Sequence, residues 1–355
     1  MRKGLTLVTL AVLPAALASA LAGGGQGRPD TAPTARFILV GDTGTGNERA
    51  RRVAARIRRT AEQASVSHVF LLGDNVYEHG EARFIESRFL DVYRGVLSLG
   101  VRIHAALGNH DVERCRESGL RPVPRDGAAY ARSTGCDVDV HLATREFGYR
   151  EGLRYYSVEI PGNGPTGPSE IPLVEAFVLD SNTLGEDQTR IDDRTDEPQL
   201  RWIAEALRGS RARWKVVVMH GTMYTPKRCH WLGLICRGDD DGLRAELEPI
   251  FIRYGVHAVF QGHQHFYARL KPQRGIRYFV TGAGGKKPDS ARTDKRAVRR
   301  RDRGAFNHFM YVYATEDRLH YCAIDAVGNV RDRGGFGRGD ADDGTFPDGP
   351  CAEPR

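Results

Sequence analysis

Seven side chains in this sequence have the types and the placement that metal chemistry needs. Asp42 lies in GDTG, Asp74 and Tyr77 in GDNVY, Asn109 in GNHD, His220 at the end of VVVMH, and His263 and His265 in GHQH. Two carboxylates, a phenol, an amide and three imidazoles are the O and N donors that hard to borderline divalent and trivalent metals select. Taken singly the segments say little. A Gly-Asp at a strand end is common, and a histidine in an apolar segment is more often a satisfied core residue than a ligand. Their repetition points to one site. With one carboxylate shared, the set is large enough to hold two ions side by side.

Each donor follows an apolar, β-branched run that stops at Gly, Asp or His. The runs are RFILVGD, HVFLLGD, RIHAALGNHD, AFVLDS, WKVVVMH, HAVFQGHQH and YFVTGAGG. Continuous apolar runs bounded by turn residues read as strands buried on both faces. Helical patterns lie between them. Residues 47–64 put Ala50, Val53, Ala54 and Ile57 on one face, with Asn47 as the N-cap. Residues 81–97 carry Phe84, Ile85, Phe89 and Leu90. Residues 198–207 begin with Pro, which a first helical turn tolerates, and 241–254 is a weaker pattern broken by Pro249. Strands alternating with helices predict an α/β architecture, and open α/β sheets place their sites at the C-terminal ends of strands. Segments 112–149 and 286–303 read as insertions. The Gly-, Asp- and Arg-rich residues 326–355 read as a poorly ordered tail pinned by Cys351.

The five blocks, in this order, resemble those of the calcineurin-like metallophosphoesterases, and most of all those of the purple acid phosphatases: DxG, GDxxY, GNH(D/E), VxxH and GHxH. The resemblance covers residues 36 to about 285. It implies an αββα sandwich of two mixed β-sheets flanked by helices, with a binuclear metal site at the strand ends of one edge. It implies that Asp42, Tyr77 and His265 hold a first metal, ferric iron in that family. Asn109, His220 and His263 then hold a second, divalent iron, zinc or manganese, and Asp74 bridges both. A phenolate and two carboxylates suit a trivalent ion; an amide and two imidazoles suit a divalent one. His110 is the candidate acid for the leaving group, with Asp111 placed to orient it. The chain departs from the family at Thr43, where vertebrate-type enzymes usually carry an aromatic residue. It departs again at Gly221-Thr222-Met223-Tyr224, which follows His220 without the usual proline. His230 is the only histidine soon after that block, where plant-type enzymes place several. Asp180 and Asn182 read as turn-capping residues, Tyr224 as core or surface, and Gly282 to Gly285 as either a tight turn or a close backbone approach to substrate.

The ends of the chain and its cysteines speak to location. Arg2 and Lys3 precede an apolar run ending near Leu17, then two small-x-small sites, Ala18-Ser19-Ala20 and Ala20-Leu21-Ala22, the layout of a secretory signal peptide. An uncleaved anchor is the alternative. Residues 1–22 are thus read as signal peptide, 23–35 as a flexible tether and 36–325 as the catalytic domain. Export predicts oxidised cysteines. The six cysteines allow 15 pairings, and proximity in sequence favours Cys115–Cys136, Cys229–Cys236 and Cys322–Cys351. The net charge of +7 comes with arginine-rich runs such as 291–303, which read first as solvated surface. No aromatic-basic pattern supports nucleic-acid binding, and oligomeric state has no signature. The expected protein is a secreted or periplasmic phosphatase acting on small phosphate monoesters. The alternatives are a phosphodiesterase or nucleotidase of the same fold and a non-catalytic metal-binding or scaffold protein.

Overall fold

Two six-stranded sheets carry the apolar runs. In the computed structural model, residues 32–113, 137–149, 153–164, 167–185, 196–226, 228–230, 235–290, 296–298, 304–339, 346 and 349–351 are described. The first sheet is built on β1 (Ala35–Val40), β2 (His68–Leu72) and β3 (Arg102–Ala106), all parallel. The second contains β4 (Tyr156–Gly164), β5 (Gly167–Val178) and β6 (Trp214–Met219). A separate short hairpin is formed by β7 (Arg228–His230) and β8 (Ile235–Arg237). The second sheet continues with β9 (Ala258–Gln261), β10 (Tyr267–Arg269) and β11 (Arg277–Thr281), in the order β10-β11-β9-β6-β5-β4. The first is completed by β12 (His308–Ala314), β13 (Leu319–Asp325) and β14 (Val330–Phe336), in the order β14-β13-β12-β1-β2-β3. Both sheets are mixed: a parallel group extended by antiparallel strands.

The sheets face each other across an apolar layer that includes Phe37, Phe70, Phe260 and Phe279, all fully buried. Phe37 meets Phe260 across the gap edge to face, with ring centroids 6.5 Å apart. Each such ring removed from water contributes roughly 2 kcal/mol. This is the two-sheet sandwich that the resemblance implies.

Helices cover the outer faces. The first, α1 (Glu48–Ala64), starts at Asn47, whose side-chain oxygen accepts from Ala50 N at 3.1 Å, and buries Ala50, Val53, Ala54, Ile57 and Ala61. The pattern at 81–97 is less regular than a single helix. A 3-10 turn (Ala82–Phe84) and a wide π turn (Glu86–Leu90) precede α2 (Asp91–Leu97). The stretch that includes the wide turn delivers Phe89 onto Phe147, ring centroids 3.9 Å apart. Within the 112–149 segment, α3 (Val138–Ala143) packs His141 and Leu142 inward. On the second sheet, α4 (Glu197–Gly209) is capped by Asp196, and α5 (Asp241–Tyr254) runs through Pro249. They cover Phe177, Val217, Val259 and Val280.

The C-terminal residues correct the sequence reading. Residues 330–336 are not loose: β14 pairs antiparallel with β13, from Leu319↔Phe336 to Ile324↔Val330. Its Gly and Arg composition resembles a loop, but the backbone completes a ladder, and Phe336 packs edge-on against Trp214 at 5.8 Å. A Cys322–Cys351 disulfide ties Cys351 to β13. In the hairpin, Cys229 stands opposite Cys236 in register; Cys115 and Cys136 lie outside the described residues, as do residues 1–31. Among the described residues no helix is long and apolar enough to cross a membrane.

Candidate metal centre

All five blocks lie just beyond strand C-termini, and they converge on one edge of the sandwich. Asp42 follows β1, Asp74 and Tyr77 follow β2, and Asn109 follows β3, in the first sheet. His220 follows β6, and His263 and His265 follow β9, in the second. The chain turns sharply at three of these positions: Asp42, Asp74 and His263 have φ of 57°, 55° and 66°. Left-handed backbone is uncommon outside glycine and costs energy, so it persists only where the surroundings fix it.

The donor atoms form two groups that share one residue. In the first, Tyr77 Oη lies 2.7 Å from Asp74 Oδ2, 3.0 Å from Asp42 Oδ1 and 3.4 Å from His265 Nε2. In the second, Asn109 Oδ1 lies 3.0 Å from His220 Nε2 and 3.1 Å from His263 Nδ1. His220 Nε2 is also 3.3 Å from Asp74 Oδ1. Asp74 therefore turns one oxygen to each group. All seven predicted donors are brought together, and Asp42, Asp74 and His265 each offer an atom within 4.8 Å of the others. So many O and N lone pairs aimed at one another from a mostly buried position are what a metal pair relieves, and the donor set fits one. His220 Nδ1 donates to the Leu72 carbonyl at 2.7 Å, which leaves its Nε2 lone pair facing the group. His265 Nδ1 has Asp289 Oδ2 at 3.8 Å.

The electrostatics follow from this crowding. Burial works against the Asp74 carboxylate, but His220, His110, the Tyr77 hydroxyl and His263 outweigh it and hold the pKa down to about 2. Burial, then Asp42 and Asp74, push the Tyr77 phenol far above its usual value. His263, buried and next to His220, is lowered to about 3. These are the protein's own fields, before any cation enters.

Close approach of the loops depends on glycine. A Cβ on Gly108 would stand 2.1 Å from Asp74 N and 2.2 Å from Asp74 Oδ1. One on Gly282 would meet Asp42 Oδ2 at 2.6 Å. The glycine run after β11 thus accommodates the Asp42 turn.

His110 borders the first group, its ring centroid 4.7 Å from that of Tyr77. Its Nδ1 bonds the Glu78 carbonyl, with Glu113 Oε2 3.0 Å away. Burial opposes its charge, yet Asp74, the Glu78 carbonyl and Glu113 hold its pKa above the usual value. Asp111 does not orient this ring, contrary to the sequence expectation. It is fully buried and committed elsewhere: Oδ1 accepts from Asn75 N at 2.8 Å and Val76 N at 3.0 Å, and Oδ2 accepts from Gly108 N at 2.8 Å and Asn75 Nδ2 at 2.9 Å. Four N–H groups bind it more tightly than one imidazole would, so Asp111 splices the Asp74 turn to the Asn109 turn. Glu113, three residues beyond His110, is the carboxylate that sequence reasoning missed; its i+3 spacing was the available signal.

Asp180 and Asn182 act as turn residues. Asp180 Oδ1 accepts from Asn182 N, and Oδ2 pairs with the fully buried Arg154 at 3.1 Å. Tyr224 bonds Glu248 at 2.7 Å and packs on Tyr278.

Comparison with known proteins agrees with this geometry. Residues 35–267, well over half the chain, match the family described as calcineurin-like phosphoesterase. Purple acid phosphatase 17 of Arabidopsis thaliana is 26% identical over 260 residues, which is 70% of this chain and 68% of that protein. Human tartrate-resistant acid phosphatase type 5 is 24% identical over 331 residues, 87% of each chain. Among solved structures, a purple acid phosphatase from yellow lupin seeds aligns with a TM-score of 0.64 at 17% identity, over 88% of this chain and 55% of the lupin protein. Plasmodium GAP50, described as the anchor in the inner membrane complex, aligns with a TM-score of 0.60 at 11% identity, over 83% and 85%. At these identities the structural matches establish the fold alone. The chain belongs to the calcineurin-like phosphoesterase family of metal-dependent phosphoric ester hydrolases, and its sequence relatives are purple and tartrate-resistant acid phosphatases.

Proposed function

We propose that this protein is an exported phosphatase that hydrolyses phosphomonoesters with a pair of metal ions. Asp42, Tyr77 and His265 would hold a ferric iron, Asn109, His220 and His263 would hold a divalent iron, zinc or manganese, and Asp74 would serve both. The observation that carries this reading is Asp74, which turns Oδ2 to one donor group and Oδ1 to the other. Bound metals of this kind make water acidic enough to act as a nucleophile near neutral pH and neutralise the phosphoryl oxygens during in-line displacement. The chain's own work is the rest. His110, held through Nδ1 by the Glu78 carbonyl, gives a proton to the leaving ester oxygen, and Glu113 favours the charged imidazole that does so. Asp111 positions both turns.

A chain of the same fold is described as an anchor in an inner membrane complex, so the activity reading rests on these side chains and not on the fold. The test is turnover of an aryl phosphate and of the corresponding bis-aryl phosphate by oxidised, metal-loaded protein. We expect the monoester to be preferred, and His110→Ala to lower kcat about a hundredfold. Preference for the diester would redirect the reading to a phosphodiesterase. Turnover of neither, with no effect of His110→Ala, would leave a metal-binding scaffold. Export rests on the signal-like N-terminus and is supported by the Cys322–Cys351 disulfide; the N-terminal residue of the mature protein checks it.

A further inference from the structure

The segment that follows the β11 glycines places a cation beside the donor groups. Lys286 N and Gly285 N both donate to the Asp42 carbonyl, at 3.3 and 2.9 Å, and the Lys286 carbonyl accepts from Asn307 Nδ2 at 2.8 Å. The backbone of Lys286 is therefore fixed to the turn that carries Asp42. Its side chain reaches over Tyr77, with Nζ 3.9 Å from the ring centroid, and bonds both carboxylate oxygens of Glu78 at 3.0 Å. Lys286 is 22% exposed, whereas Glu78 is 61% exposed. An ion pair with so exposed a carboxylate is weak and exchangeable. The ammonium, by contrast, is held against an aromatic face by the fold. The same Tyr77 ring has His110 against it, ring centroids 4.7 Å apart, so Lys286 and His110 both border Tyr77.

We propose that Lys286 selects phosphate monoesters over diesters by binding a non-bridging phosphoryl oxygen, with Glu78 as the partner that the substrate displaces. This rests on the phosphatase reading above. A monoester carries three non-bridging oxygens and close to two negative charges; a diester carries two and one. A fixed point charge beside the site meets an oxygen in the monoester where the diester has its second ester arm. Nothing in the five blocks predicts this residue, because it lies in the segment read as an insertion.

The test compares Lys286→Met and Lys286→Arg with wild type, using an aryl phosphate, its bis-aryl counterpart, and calorimetric binding of inorganic phosphate to the metal-loaded protein. Charged hydrogen bonds of this kind are worth roughly ten- to a hundredfold in affinity. Lys286→Met should lower kcat/KM for the monoester and the phosphate affinity by about that factor, and the diester kcat/KM by less than about threefold. Lys286→Arg should recover most of the loss. Glu78→Gln, which retains the ammonium and removes its competitor, should tighten phosphate severalfold. Equal losses on both esters, an unchanged phosphate affinity in Lys286→Met, or weakening by Glu78→Gln as large as that by Lys286→Met would overturn the proposal. Should the wild type turn over neither ester, the function reading fails by itself, and phosphate binding still decides the role of Lys286.

Discussion

At Gly108 the added atom of an alanine would stand 2.1 Å from Asp74 N, and both neighbours are backbone or a buried carboxylate that cannot step aside. Gly108→Ala should therefore displace Asp74 from its place between the two donor groups. We expect metal content to fall from two ions to one or none, and activity to fall at least about a hundredfold, since shifts near 1 Å have that effect on positioned groups. Full occupancy in the variant, by elemental analysis, would mean that the turn has slack. Tyr77 allows a cleaner separation of roles. Tyr77→Phe removes only the oxygen that touches Asp42, Asp74 and His265 and keeps the ring under Lys286. The iron-loaded wild type should be coloured by tyrosinate-to-iron charge transfer, and the variant should lose that visible band while keeping its circular dichroism. A colourless wild type with iron bound would remove Tyr77 from the ligand set. The seven donors were legible in the sequence because each sits in a short block whose spacing is itself the signal. Glu113 left only its i+3 spacing from His110 as a signal, and the roles of Asp111 and Lys286 were not legible, because their partners are chosen by tertiary contact: Asp111 by the four N–H groups around it, Lys286 by the crossing of two loops.

At the level of the element, the strands were legible and their edges were not. Runs such as HVFLL are apolar on both faces because both faces are covered, and no loop composition imitates that. In β14 the same rule fails, since a strand of Arg, Asp and Gly is recognised only by its partner β13. The π turn at 86–90 escapes for a similar reason: its Phe89 stacks on Phe147, a partner far along the chain. One polar feature of the β2–β3 pair has a measurable consequence. His68 and His104 stack with centroids 5.2 Å apart, Nδ1 of the first 3.0 Å from Nε2 of the second, and Arg102 lies 2.9 Å from His68 Nε2. Burial, then Arg102, lowers His68 to about 4; burial, then His68 and Arg102, lowers His104 to about 3. In the unfolded chain both titrate near 6.5. Below that pH the unfolded state takes up protons that the folded state refuses, so the stability is complete above 6.5 and is lost as pH falls towards 4. The loss should reach roughly 2 kcal/mol per histidine by pH 4.5. In urea titrations at pH 7.5 and 4.5, His104→Gln should show a smaller drop between the two than wild type. An equal drop would mean that the pair is not what titrates.

Among the described residues, the two six-stranded sheets meet twice. Along the interior they meet through rings such as Phe37 and Phe260, and at one edge they meet through the donors. Asp42, Asp74, Tyr77 and Asn109 come from the first sheet, and His220, His263 and His265 from the second. In the second donor group the contacts cross between sheets, Asn109 to His220 and to His263. Cations held there would join the sheets as well as act on substrate, because their ligands exist as a set only when the sandwich is closed. An ion that binds only the folded state stabilises it by about 4 kcal/mol when present at a thousand times its Kd. In a domain of this size that corresponds to a rise in Tm of roughly 6 °C for each ion. Removing the metals with a chelator, under conditions that leave the disulfides oxidised, should lower Tm by that amount. Returning the divalent ion alone should restore only part of it, since the phenolate group would still lack its trivalent partner. The loss should be larger in Phe260→Ala, where the ring that holds the second sheet against Phe37 is gone and the ions carry more of the contact. If chelation removes both ions and leaves Tm unchanged, the packed interior alone sets the approach of the sheets, and the donors are held in place with or without their cations.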